Sequence, residues 1–137
     1  MRTAIVDRPI DACALLDEVA RHRNGATVLF LGTVREENDG SPVSGLDYSA
    51  YRDMAERELG AIVAEAEQRF GTPDIVVEHR IGSLGLGEAS VAIAAAHPHR
   101  GGAYDVSRYV IEELKKRLPI WKREHYVDGK VEWVANA

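Results

Sequence analysis

Two lysines late in the chain, Lys115 and Lys122, are the first residues whose placement suggests chemistry. Around Lys115, Glu112 precedes Lys116 by four residues and Glu113 precedes Arg117 by four, the spacing of surface ion pairs on a helix. Lys115 has Ile111 at that spacing instead, so it borders the apolar face, with Glu112 in reach three residues back. A lysine partly withdrawn from water has a lowered pKa and serves as acid, base or nucleophile. The plainer alternative is a lysine whose stem snorkels along the core while its ammonium stays wet. Lys122 follows Pro119 in PIWKRE. On a strand, Trp121 and Lys122 point to opposite faces, so Trp121 is expected to anchor the strand and Lys122 to project the other way. A solvated strand lysine is the alternative.

A second constellation is His97, His99 and Arg100, at the end of an apolar run and just before a helix. An imidazole and a guanidinium near a helix N-terminus suit an oxyanion: the arginine fork binds bidentately and free backbone N–H groups add donors. The His-x-His spacing also permits a metal, but Arg100 repels a cation and no carboxylate or cysteine cluster supplies further ligands. Capping and surface hydrogen bonding remain open for His97. Arg35 opens a polar loop after a buried strand, a usual place for a substrate-gripping cation. The glycine-rich GSLGLGE segment lacks the Lys-Ser/Thr pair of a phosphate loop and does not sit between a strand and a helix.

These residues must be positioned by elements that the hydrophobic pattern outlines. Ile10 to Arg21 reads as a helix with Leu15, Leu16 and Val19 on one face, stopped by Asn24-Gly25. Ala26 to Val34 is a near-continuous apolar run, hence a buried strand, and Arg35 to Pro42 a polar, mobile loop. Val43 to Tyr51 reads as a strand with apolar residues on both parities. Asp53 to Phe70 is the best-defined helix, with Leu59, Ile62, Val63 and Ala66 as its stripe, ended by Gly71 and Pro73. Ile75 to Ile81 and Ala89 to Ala96 read as an antiparallel strand pair. Gly101 to Leu118 holds a third helix, with Val106, Val110, Leu114 and Leu118 four apart, ended by Pro119. Ile120 to Val127 and Lys130 to Val134 flank the turn Asp128-Gly129. The order α-β-β-α-β-β-α-β-β, with paired strands between helices, predicts an α+β fold of three helices and mostly antiparallel strands.

The 137 residues suit a single domain, 1–137, with one core. A net charge of −5 disfavours a general binder of nucleic acid or of anionic membranes, though local basic clusters can still hold an anion. No apolar run approaches membrane-spanning length. The N-terminus lacks the uninterrupted apolar stretch of a signal peptide, so a cytoplasmic location is expected. Cys13 is the only cysteine, read as a small core residue, so no intrachain disulfide or CxxC site exists. Sulfur chemistry by this chain would need its sulfur delivered by something else.

FLGTVRE followed by Asn38 and Gly40, the Tyr51-x-x-Met54-Ala55 step, EHRIGSLGLGE, HRGGAY, and LKKRLPIWKRE with a closing Trp133-Val134 occur in this order. In these stretches the chain resembles the molybdopterin synthase large-subunit (MoaE) family over nearly its whole length. The resemblance implies an α/β-hammerhead-type fold and a homodimer that becomes a heterotetramer by receiving two small ubiquitin-like sulfur-carrier subunits. The carrier's C-terminal Gly-Gly tail bears a thiocarboxylate and threads into a pocket. The implied substrate is cyclic pyranopterin monophosphate (precursor Z), and two sulfur transfers form the dithiolene of molybdopterin, with no metal and no cofactor of the enzyme's own. By the same resemblance, Lys115 and Lys122 match the family's catalytic lysines, His99 and Arg100 its phosphate-binding pair, and Arg35 the arginine of its GxVR loop. The pocket is implied to draw on both protomers. Ser49 departs from the family, standing where many relatives have Glu, and the chain ends at Ala137 where longer relatives place basic residues. Two other readings are a non-catalytic adaptor docking a ubiquitin-like protein and a metal-dependent hydrolase using His97 and His99.

Overall fold

The computed structural model describes residues 1–135, so the expectation about basic residues after Val134 falls partly on 136 and 137, outside the described residues. In chain order the elements are β1 (Arg2–Val6), α1 (Ala12–Val19), β2 (Ala26–Thr33), β3 (Glu37–Asn38), β4 (Ser41–Ala50), α2 (Arg52–Phe70), β5 (Ile75–Arg80), β6 (Gly82–Gly85), β7 (Ala89–His97), α3 (Arg100–Arg117), β8 (Ile120–Tyr126) and β9 (Val131–Ala135). The expected order is present, within an α+β fold, with three added strands: β1, β3 and β6.

The first sheet runs β1-β5-β7-β2, with β1 parallel to β5 and the other pairs antiparallel. Its central strand β7 is buried from Ser90 to Ala96 because both faces are covered. Val91, Ile93 and Ala95 face the main core with α2 and α3; Ala92, Ala94 and Ala96 face α1 with Leu15 and Val19. A strand covered on both sides needs no polar alternation, which is why ASVAIAAA is apolar throughout. The stripes read on α2 and α3 are all buried. Cys13 is exposed, contrary to expectation. The buried face of α1 is narrow, carried by Leu15 and Val19 four residues apart, and Cys13 lies off it.

The helix ends follow local chemistry. Asp11 caps α1 by accepting the Ala14 N–H at 3.2 Å. Gly71, at φ 73°, ends α2 in the left-handed conformation that glycine adopts without a Cβ penalty. Lys116 pairs with Glu113 at 3.7 Å, three residues away, rather than with Glu112. Arg117 does not pair along its own helix as the spacing suggested; it donates to Glu58 and Glu65 and clamps α3 to α2.

The second sheet runs β3-β4-β8-β9, with β6 also pairing with β4. The glycine-rich segment thus supplies a strand as well as a connection. The pairing of β4 with β8 slips between Val43 and Gly45. An extra residue in a strand reverses the facing of everything beyond it. Val43, Leu46 and Tyr48 are therefore all buried although the first differs in parity from the other two.

Candidate active site

Between the two sheets lies a cavity of about 250 Å³. The end of β2 and the residues after it (Phe30 and Gly32 to Arg35), β4 (Val43, Leu46, Tyr48), β7 (Ser90, Val91), α3 (Ile111, Lys115) and β8 (Lys122, Glu124) form its walls, with Glu37 and Asn38 from β3. Lys115, Lys122 and Arg35, separated in sequence, meet here.

Lys115 stands on the last turn of α3 beside Leu114, which is fully buried. Burial first, and the nearby Lys122 charge second, lower its pKa, because both disfavour adding a proton to a partly desolvated ammonium. Its edge position is thus the partly desolvated one. Trp121 and Lys122 do face opposite sides of β8, but with their burial reversed from the expectation. Trp121 is 41% exposed and meets Tyr51 edge-on at 4.9 Å. The Lys122 side chain is only 17% exposed. The cavity offers a buried polar partner for the lysine, whereas the indole is left on the outer face of the sheet.

That partner is Glu124, which sequence reasoning quoted in a motif but did not single out. Glu124 Oε1 lies 3.3 Å from Lys122 Nζ, and Oε2 accepts from Asn38 Nδ2 at 2.7 Å and from the Tyr126 hydroxyl. A buried carboxylate persists only when such partners replace water. The signal was available: residues two apart on a strand share a face, so a carboxylate two positions after Lys122 must point with it. Asn38 fastens the segment read as a mobile loop to the cavity wall. Tyr48, opposite Lys122 in the β4–β8 register, also escaped the sequence because the slip in β4 hides its parity. Ser49 is exposed on the face of β4 away from the cavity.

His79 lies beneath this wall, 1% exposed. Burial lowers its pKa to about 4, the Lys115 charge adding to the effect. It is a neutral imidazole that donates Nδ1–H to the Arg80 carbonyl at 2.9 Å.

His99 and Arg100 are exposed at the opposite end of α3. Arg100 begins the helix and Lys115 lies fifteen residues on, which places them about 22 Å apart along the axis. One chain therefore does not bring the His-Arg pair to the lysines. His97 is structural: its Nε2–H donates to the Phe70 carbonyl at 2.9 Å and its Nδ1 accepts the His99 N–H at 3.0 Å. With both ring nitrogens engaged, the His-x-His pair is not arranged as a chelate. Among the described residues, no group of three or more His, Cys, Asp or Glu is placed to hold a metal ion.

The sequence model of the MoaE protein family matches residues 5–117. The chain belongs to the MoaE family. Among curated MoaE relatives, the molybdopterin synthase catalytic subunit of Halalkalibacterium halodurans is 41% identical over 98% of this chain and 86% of its own length. The protein of that name from Thermoplasma volcanium is 40% identical over 94% of both. The crystal structure of molybdopterin synthase from Staphylococcus aureus contains a chain that superposes with a TM-score of 0.90. It is 36% identical, over 96% of this chain and 95% of that one. The MoaE match spans the stretches that supply Arg35, Tyr48, His99, Arg100 and Lys115, while Lys122 and Glu124 lie just beyond its last residue, within the span covered by the relatives. No helix among the described residues is long and apolar enough to cross a membrane.

Proposed function

We propose that this chain is a molybdopterin synthase catalytic subunit that moves sulfur from a carrier peptide onto a phosphorylated pterin. The donor is the C-terminal thiocarboxylate of a small ubiquitin-like subunit ending in Gly-Gly, and the acceptor is cyclic pyranopterin monophosphate. Each transfer forms a carbon–sulfur bond and breaks a carbon–oxygen bond of the acceptor: one opens the cyclic phosphate, whose oxygen stays on the terminal phosphate, and the other expels the neighbouring carbonyl oxygen as water. Water then attacks the acyl carbon, breaks the acyl–sulfur bond, and leaves a carboxylate on the carrier tail. Two such transfers yield the dithiolene in the cytoplasm.

The convergence of Lys115, Lys122 and Arg35 on one cavity carries this reading. A thiocarboxylate and a phosphate are both anions, and cations held in a partly desolvated cavity stabilise charge that develops there far better than in water. Lys115, with its lowered pKa, transfers protons; Lys122, oriented by Glu124, steadies the tail or the pterin. Sole Cys13 is exposed and away from the cavity, which fits a sulfur that arrives on another chain.

His99 and Arg100 grip the phosphate end of the acceptor from the second protomer of a homodimer, itself the centre of a heterotetramer with two carriers. Their distance from Lys115 along α3 supports this. So does exposed apolar surface at Tyr51, Met54, Trp121 and Trp133, which suits contact with other chains.

The test is a reconstituted assay with thiocarboxylated carrier and precursor Z. Wild type is expected to form the dithiolene product, while Lys115→Ala forms none and still binds the carrier. Turnover by Lys115→Ala at the wild-type rate removes the proposed role of that lysine. Carrier binding without turnover by wild type would favour the adaptor reading.

A further inference from the structure

The cavity has a polar floor that its cations do not account for. Tyr48 lines it, 6% exposed, directly across the strand pair from Lys122. Its ring is braced edge-on by His79, with centroids 5.4 Å apart and planes at 75°. The hydroxyl of Ser90, on β7 of the other sheet, lies beside its phenol. Ser90 Oγ donates its hydrogen to the Gly32 carbonyl at 3.2 Å. A serine hydroxyl has one hydrogen to give and Gly32 takes it, so towards the phenol Ser90 can only accept. The phenol oxygen then keeps its acceptor capacity for the cavity, whose cations are Lys115, Lys122 and Arg35.

We propose that Tyr48 is a positioning residue of the sulfur transfer: its phenol oxygen, fixed from behind by Ser90 and His79, accepts a hydrogen bond from the Lys115 ammonium and holds it towards the bound anion. This rests on the function proposed above. The titratable groups facing Lys115 are Lys122 and Glu124 from β8, Arg35 and Glu37 beyond β2, Tyr48 from β4 and His79 from β5. Burial and Lys122 both drive the proton off Lys115, whereas a neutral oxygen accepting from the ammonium opposes them. Tyr48 thereby sets how far the lysine's affinity for its proton falls, without adding charge to a site that must take up an anion.

Tyr48→Phe keeps the ring against His79 and removes one oxygen. Competitive acetylation of the full-length chain, read at Lys115 by mass spectrometry across pH, needs no substrate. The Lys115 midpoint is expected to fall by about one pH unit in the variant. In the assembled complex kcat should fall about tenfold with KM unchanged, and its pH profile should move by the same amount as the midpoint. Ser90→Ala, which loosens the phenol, should shift both in the same direction by less. A Tyr48→Phe midpoint equal to wild type overturns the contact with Lys115, and a shifted midpoint with unchanged kcat overturns the role in the reaction. Should the wild-type complex itself fail to turn over, the function proposed above falls, while the acetylation midpoint still decides whether Tyr48 holds Lys115.

Discussion

Lys122 and Glu124, two residues apart on β8, point to the same side of the sheet and meet at 3.3 Å inside the cavity. The glutamate is 2% exposed, and its second oxygen ties down Asn38 from the segment that closes one wall. One carboxylate thus orients a cation of the site and holds the adjoining segment in place.

Removing that carboxylate should separate these two duties. Glu124→Ala leaves the Lys122 ammonium without its buried partner and should destabilise the fold by on the order of 3 kcal/mol, measured by urea unfolding. Glu124→Gln keeps the shape and an acceptor for Asn38 but lets Lys122 move. It should fold nearly as well as wild type and turn over about ten- to a hundredfold more slowly. A Gln variant with full activity would show that the orientation of Lys122 does not matter.

Lys115 and Arg100 sit at opposite ends of α3, so a composite site predicts complementation. Lys115→Ala and Arg100→Ala dimers should each be nearly inactive. Unfolded together in equal amounts and refolded, they should recover about one quarter of wild-type turnover, because half the dimers are mixed and each mixed dimer has one intact site. No recovery, with mixed dimers verified by mass, would place both residues in the site of a single chain.

His79 makes stability depend on acid. The unfolded chain takes up a proton as the pH falls below 6.5, but the folded chain does so only near 4. The imidazole therefore imposes no penalty above pH 6.5, and stability drains away as the pH drops through that window, by on the order of 3 kcal/mol in all. His79→Gln should flatten this part of the stability-against-pH curve, followed by chemical denaturation at each pH. An unchanged slope would mean that other groups carry the acid sensitivity.

Gly102 lies in the first turn of α3, where alanine would ordinarily favour the helix. A Cβ there would run into the His97 imidazole, which is held between the Phe70 carbonyl and the His99 N–H. Gly102→Ala should therefore lower stability by about 1–3 kcal/mol. Combined with His97→Ala, the loss should be smaller than the sum of the two single changes, since the clash has gone. Additive losses in thermal or urea unfolding would count against the clash.

Among the described residues, sequence alone determined the three helices, six of the nine strands and the residues of two cationic groups. Helix stripes such as Val106, Val110 and Leu114 and turn signals such as Asp128-Gly129 are local, and local geometry repeats in the chain itself. It also carried the family, because its motifs keep their order and separation. Only the tertiary structure decided which side of β8 is interior, placing Lys122 inside and Trp121 outside. That choice depends on what covers each face of the sheet, and the alternation of a strand is the same either way. The strands β1, β3 and β6 are five, two and four residues long. They take strand form because distant partners supply their hydrogen bonds, a cause that no short window contains. The slip in β4, which turns Tyr48 inward beside Val43, and the length of α3, which parts Arg100 from Lys115, are likewise consequences of pairing and packing. Residue types specify what chemistry is available; the path of the backbone specifies which groups meet.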